Sequence, residues 1–199
     1  MIILTEEHQY FVDGERKPGV SEILSHFGFN KQYEKIPEDV RERALGFGKA
    51  VHEVVRLTEI QDTAGFNEGH KRIQSHWEAF KKAHDLADCI VDVKTNASKK
   101  PTTSNLLQLF AYKILAEDQT EKLLPYTVEK SLFSKTWNFC GTPDYIVTNT
   151  GKIKKLYIVC LGLDGFKPFV YGNKDDMRWE HDFKALLKTY QLQKKEGVI

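Results

Sequence analysis

Six residues, Cys89-Ile-Val-Asp-Val-Lys94, constrain the fold more than any other stretch of the chain. Apolar, largely β-branched residues lead into an acid and an amine, the pattern of a buried strand whose end carries polar chemistry. Side chains two apart on a strand share a face, so Asp92 and Lys94 project together while Val93 turns into the core. An acid and an ammonium held side by side suit a carboxylate that grips a divalent cation beside a group that orients or deprotonates a water. A solvated pair at a strand end satisfies the same letters, so the neighbouring segments must discriminate. After a polar turn at Lys99-Lys100-Pro101, Leu106-Leu-Gln-Leu-Phe-Ala-Tyr112 predicts a helix over about 104–116.

With 199 residues, 41% of them hydrophobic and 12% aromatic, the chain can bury a full core, and one domain over 1–199 is expected. A net charge of +1 excludes a global basic field, so any nucleic-acid contact must rest on a local patch. Lys94, Lys99, Lys100 and Lys113 form one candidate patch and Lys152, Lys154 and Lys155 another, although lysine clusters are usually solvated surface. Cys89, Cys140 and Cys160 are odd in number and lie in apolar contexts, which fits buried fillers in a reducing cytoplasm better than disulfides or a zinc site. Met1-Ile-Ile-Leu4 is interrupted by Thr5, Glu6 and Glu7, so no leader or membrane segment is expected and the protein is read as soluble and cytoplasmic.

In chain order, Asp13-Gly14 between Tyr10-Phe-Val12 and Glu15-Arg-Lys17 predicts a small hairpin. Ser21 is a candidate cap for a short helix that Gly28 ends. Pro37 opens a longer helix with Glu38 and Asp39 in its first turn and Ala44, Phe47, Val51, Val54 and Val55 along one side. A second helix over about 66–85 buries Ile73, Trp77 and Phe80. Residues 126–133 and 137–148 read as an antiparallel hairpin around Ser134-Lys-Thr136, 155–162 as an apolar strand, and 165–172 as an edge strand. A last amphipathic helix over about 175–194 turns Trp179, Phe183, Leu186, Leu187 and Tyr190 inward. Helices and strands mixed in this way predict an α/β fold, a sheet with helices packed on it.

Four further signals stand beside Asp92 and Lys94. Gly141-Thr-Pro-Asp144 puts glycine and proline in a strand immediately before a carboxylate, so the chain bends there and Asp144 is re-aimed, either to complete a two-carboxylate site with Asp92 or as an ordinary turn residue. Gly48 and His52 share a helix face, and Gly46 and Gly48 together suggest close approach of a backbone or a nucleic acid. His52 is a candidate metal ligand or a surface histidine. Gln108 and Tyr112, also four apart, can stack on or hydrogen-bond a nucleotide strand. Glu129 alternates with Val128 and points either toward the site or to solvent.

Together these residues resemble the PD-(D/E)xK nuclease superfamily, in its RecB-type and phage exonuclease branch. The family's Gly-x-x-x-His is similar to Gly48–His52, its Pro-Asp to Pro143-Asp144, its Asp-x-Lys to Asp92–Lys94 and its Gln-x-x-x-Tyr to Gln108–Tyr112. The opening His8-Gln-Tyr-Phe11, with Val20-Ser21 and Ile23-Leu24, also looks like the start of the phage members. The resemblance implies a restriction-endonuclease-like mixed sheet flanked by helices and a metal-dependent DNA exonuclease. Asp92, Asp144, the Val93 carbonyl and His52 would hold Mg²⁺ or Mn²⁺, with Lys94 and Glu129 in the catalytic group and Gly48, Gln108 and Tyr112 against DNA. Implied partners are DNA, a second copy of the chain, or a recombination or replication protein, and no membrane.

The order departs from the family. There the Pro-Asp strand precedes the Asp-x-Lys strand; here Asp92 comes first, as if residues 87–122 and 123–153 had changed places. Non-standard strand connectivity follows, including a return from the helix after Asp92 that can take the rare left hand. A nuclease-fold binding or assembly protein that has lost catalysis is the alternative. A sugar or nucleotide enzyme is disfavoured, because no phosphate-cradling Gly-rich loop precedes a helix.

Overall fold

A computed structural model describes residues 1–29, 31, 35–95, 100–118 and 126–199. Lys99 of the first basic patch, and Glu121, Lys122 and Leu123 at the exchanged boundary, lie outside the described residues. The chain opens with a meander of β1 (Ile2–Leu4), β2 (Tyr10–Val12) and β3 (Glu15–Lys17). Asp13 and Gly14 both adopt positive φ, 51° and 86°, as a two-residue hairpin turn with the twist of its strands requires. Strand β1 was not expected, since three apolar residues are too few to show a period.

Helix α1 (Val20–His26) starts from Gly19; Ser21 lies inside its first turn and is not the cap. Gly28 ends it as expected, at φ 79°, with the Gly28 and Phe29 amides closing on the carbonyls of Ser25 and Leu24. Helices α2 (Glu38–Glu59) and α3 (Glu68–Ala83) follow, the second capped by Asn67, which accepts from the His70 amide. Helix α2 buries Val51, Val54 and Val55, but Ala44 and Phe47 are exposed: the apolar stripe has helical period, and packing covers only its second half.

Next come β4 (Cys89–Lys94), α4 (Thr103–Asp118), β5 (Tyr126–Val128), β6 (Leu132–Ser134), β7 (Phe139–Gly141), β8 (Tyr145–Val147), β9 (Lys155–Gly162), β10 (Gly165–Tyr171), a short 3-10 turn (Lys174–Met177) and α5 (Arg178–Lys195). Five strands form a mixed sheet in the order β10-β9-β4-β8-β5. Strand β4 is its centre, parallel to β9 and antiparallel to β8. Alternation along β4 divides the core. Cys89, Val91 and Val93 meet Val51, Trp77 and Phe80 of α2 and α3, while Ile90 meets Leu107 and Phe110 of α4 and Phe183 of α5. All three cysteines are buried and none is in a disulfide, as their contexts implied. No described helix is long and apolar enough to cross a membrane.

The expected long hairpin is broken. Strand β5 pairs with β8 in the main sheet, while β6 and β7 pair with each other as a separate two-stranded ribbon. Both arms break at one level, where Glu129 turns to φ 43° and Pro143 cannot donate to a ladder.

Connectivity around β4 follows from this strand order. From β4 the chain runs through α4 to β5, with β8 lying between the two strands, and then returns from β8 to β9 across the start of β4. Asp88 holds that return. Its carboxylate accepts from the Asn149 and Thr150 amides and from Lys154 Nζ, and its backbone carbonyl accepts from the Lys154 and Lys155 amides. The second lysine cluster therefore lies at the far end of β4 from Lys94, about 16 Å away at strand rise, and Lys154 and Lys155 are paired with Asp88 and Asp85. Lys113 is likewise engaged, bridging Glu117 and Glu180.

Candidate metal centre

The site forms where β4 outlasts its partner β8. Their pairing ends at Val91 opposite Tyr145, so the next backbone groups of β4 on that side lack a strand to bond. Asp144, just before β8, fills the gap: its Oδ2 accepts from the Val93 amide at 2.6 Å. The amide and carbonyl of one strand residue leave on the same side, so the Val93 carbonyl also faces Asp144, while its side chain is fully buried.

The second oxygen of Asp144 meets helix α2. His52 Nδ1 lies 3.0 Å from Asp144 Oδ1, and because a carboxylate only accepts, Nδ1 is the donor in that contact. Glu129 completes the group. Where its strand breaks, its amide donates to the Asp144 carbonyl at 3.0 Å, and its positive φ turns the side chain to the same point. One ligand atom from each of His52, Glu129 and Asp144 lies within 4.8 Å of the others. Of the two readings of Glu129, toward the site or into solvent, the structure has the first.

Asp92 and Lys94 share a face as expected, but Asp92 is 1% exposed, so the pair is not solvated. Lys94 Nζ donates to Asp92 Oδ1 at 3.0 Å and to Gln108 Oε1 at 3.0 Å, and Gln108 Nε2 donates to the Tyr112 hydroxyl at 2.7 Å. Asp92 Oδ2 is buried and accepts no hydrogen bond among the described residues; it lies 2.9 Å from the Lys94 ammonium but outside hydrogen-bond direction.

Electrostatics follow from crowding. Burial raises the Asp92 carboxyl above the usual range, Lys94 opposes this, and Asp144 adds to it. Burial pushes Asp144 the same way, but His52, Lys94 and the Val93 amide together outweigh it and the net shift is down. Burial pulls His52 down, but the charge of Asp144, its hydrogen bond and the nearby Asp92 charge leave it above its ordinary value. Glu129 is raised by burial and by Asp144. Tyr112 is held far above its ordinary value by burial and by the Asp92 and Asp144 charges, so it stays a neutral hydroxyl.

A groove of about 430 Å³ leads to these groups, with Leu45, Gly48, Lys49, Thr95 and Glu129 in its wall. A Cβ on Gly48 would lie 3.4 Å from Thr95 Oγ1, an ordinary side-chain contact, and Gly46 faces open space, so among the described residues no backbone closely approaches either glycine. Two neighbours escaped notice in the sequence. Thr95 follows Lys94 directly, and Arg56, one helical turn beyond His52, grips Glu53 and lies 4.0 Å from Glu129.

The donors suit a hard divalent cation. The carboxylates of Glu129 and Asp144 and one imidazole nitrogen lie together, and the buried Asp92, outside that group of three and paired with Lys94, stands beside them. No known protein family, curated protein or solved structure matches the chain.

Proposed function

We propose that this protein is a metal-dependent deoxyribonuclease of restriction-endonuclease-like architecture, acting as an exonuclease with Mg²⁺ or Mn²⁺. One observation carries the reading. His52, Glu129 and Asp144 converge within 4.8 Å beside a buried Asp92–Lys94 pair, although the five residues come from four separate segments of the chain. A structural salt bridge explains Asp92 with Lys94, but not why two more carboxylates, one with a raised pKa, are gathered beside it.

Asp144, Glu129, Asp92, a ring nitrogen of His52 and the Val93 carbonyl would hold the cation. Bound there, it would supply positive charge to a phosphate and acidify a water. Lys94 would direct an ammonium proton at the attacking water or a phosphate oxygen and offset the charge that develops on it. Water oxygen then bonds to phosphorus as the bond to the leaving sugar oxygen breaks; the water gives up a proton and the departing oxygen takes one. His52, tied to Asp144, keeps that carboxylate turned toward the centre.

Asp92→Asn and Lys94→Ala are expected to lower cleavage of DNA in Mg²⁺ by about a thousandfold while the far-ultraviolet dichroism stays that of the wild type. Undiminished cleavage by either variant sinks the assignment. DNA binding by the wild type that needs no cation and yields no cut would identify a binding or assembly protein instead.

A further inference from the structure

We infer that Gln108, held by Tyr112, is a positioning residue that aims the Lys94 ammonium, in place of the strand contact its spacing suggests; this rests on the cleavage reading above. Gln108 Oε1 receives Lys94 Nζ at 3.0 Å, and its Nε2 is committed to the Tyr112 hydroxyl at 2.7 Å. A primary amide has one accepting and one donating end. The ammonium only donates, so the carbonyl end must face it, and the amine end is left to the Tyr112 hydroxyl, which accepts. Tyr112 holds that end from a buried position, 6% exposed, on the same face of α4 and one turn along.

An ammonium on a four-carbon stem is a mobile point charge, and one carboxylate contact leaves it free to rotate about that contact. A second acceptor removes the rotation. Asp92 Oδ1 and Gln108 Oε1 each fix one proton direction of the ammonium. Asp92 alone cannot do this, since both its oxygens lie on one side of the ammonium, at 3.0 and 2.9 Å. The two acceptors come from different elements, β4 and α4, so the packing of α4 on the sheet is transmitted to the reactive group.

Gln108→Met keeps the length of the side chain and removes the acceptor; Gln108→Glu restores an acceptor; Tyr112→Phe removes what holds the amide. In Mg²⁺ with linear duplex DNA, Gln108→Met is expected to lower kcat about a hundredfold with KM for DNA within about twofold, because a small misdirection of a reacting group is that costly. Gln108→Glu should stay within about tenfold of the wild type and Tyr112→Phe should fall between them. Calorimetric Mn²⁺ affinity should be unchanged in all three. A Gln108→Met enzyme with normal kcat and raised KM would make Gln108 a strand contact and overturn the inference, as would Gln108→Glu no better than Gln108→Met. Independently of turnover, ¹⁵N-lysine spectra should show one slowly exchanging ammonium that is absent in Lys94→Ala, kept in Gln108→Glu and lost in Gln108→Met. If the wild type cuts nothing, that signal still tests the positioning, and its persistence in Gln108→Met refutes it.

Discussion

Asp88 shows how much one carboxylate can decide. It receives the Lys154 ammonium and the Asn149 and Thr150 amides, and these bonds hold its carboxyl well below the ordinary 3.8. A carboxyl depressed by folding contributes stability that is present above the unfolded-state value and is lost as pH falls through the native one. Asp88→Asn should therefore lower the urea midpoint at pH 7, and the gap to the wild type should narrow only below pH 3.8. A gap of constant size down to pH 2 would mean that shape, and not charge, holds the return to β9. Nothing about Asp88 stands out in the sequence, where it is one acid in a polar turn; its partners are more than 60 residues away. Asp92 and Lys94 were legible, because a strand's two-residue period is local and puts both on one face whatever the sheet does.

At the scale of elements, the broken hairpin aims the site. Gly141, in β7 just before the bend, lets the ribbon lie against α4 and α1. A Cβ there would come within 2.7 Å of Leu115 Cδ1 and 3.0 Å of Tyr112 Cε1 and Val20 Cγ2. Gly141→Ala should cost about 1–3 kcal/mol by overpacking, measured by urea unfolding. Pairing it with Leu115→Ala should recover part of that loss, and strictly additive effects would show that the contact does not matter. The bend itself was readable from Gly-Thr-Pro-Asp, because proline cannot donate to a ladder. That Glu129 bends at the same level was not, since its positive φ answers to the partner strand and not to any glycine or asparagine of its own.

For the whole molecule, gathering Asp92, Glu129 and Asp144 in one place concentrates negative charge, with burial raising Asp92 and Glu129. A cation that binds there adds its binding energy to the folded state. At a hundredfold excess over Kd this amounts to about 2.7 kcal/mol, or roughly 5–11 °C in Tm for a chain of this size. Mn²⁺ should raise the wild-type Tm by that amount, EDTA should reverse it, and Asp144→Asn should abolish most of it. No shift with Mn²⁺ or Mg²⁺ would remove the metal centre.

The sheet order β10-β9-β4-β8-β5 puts the Asp144 strand next to the Asp92 strand although a helix and three other strands separate them along the chain. Hydropathy period and turn chemistry determined nearly all the helices and strands, because each depends on residues within one or two turns of one another. Which carboxylates met was settled only in the tertiary structure. Strand order depends on how a loop such as 148–154 is routed and held, and Asp88 does that through bonds across the fold that leave no mark in the local sequence.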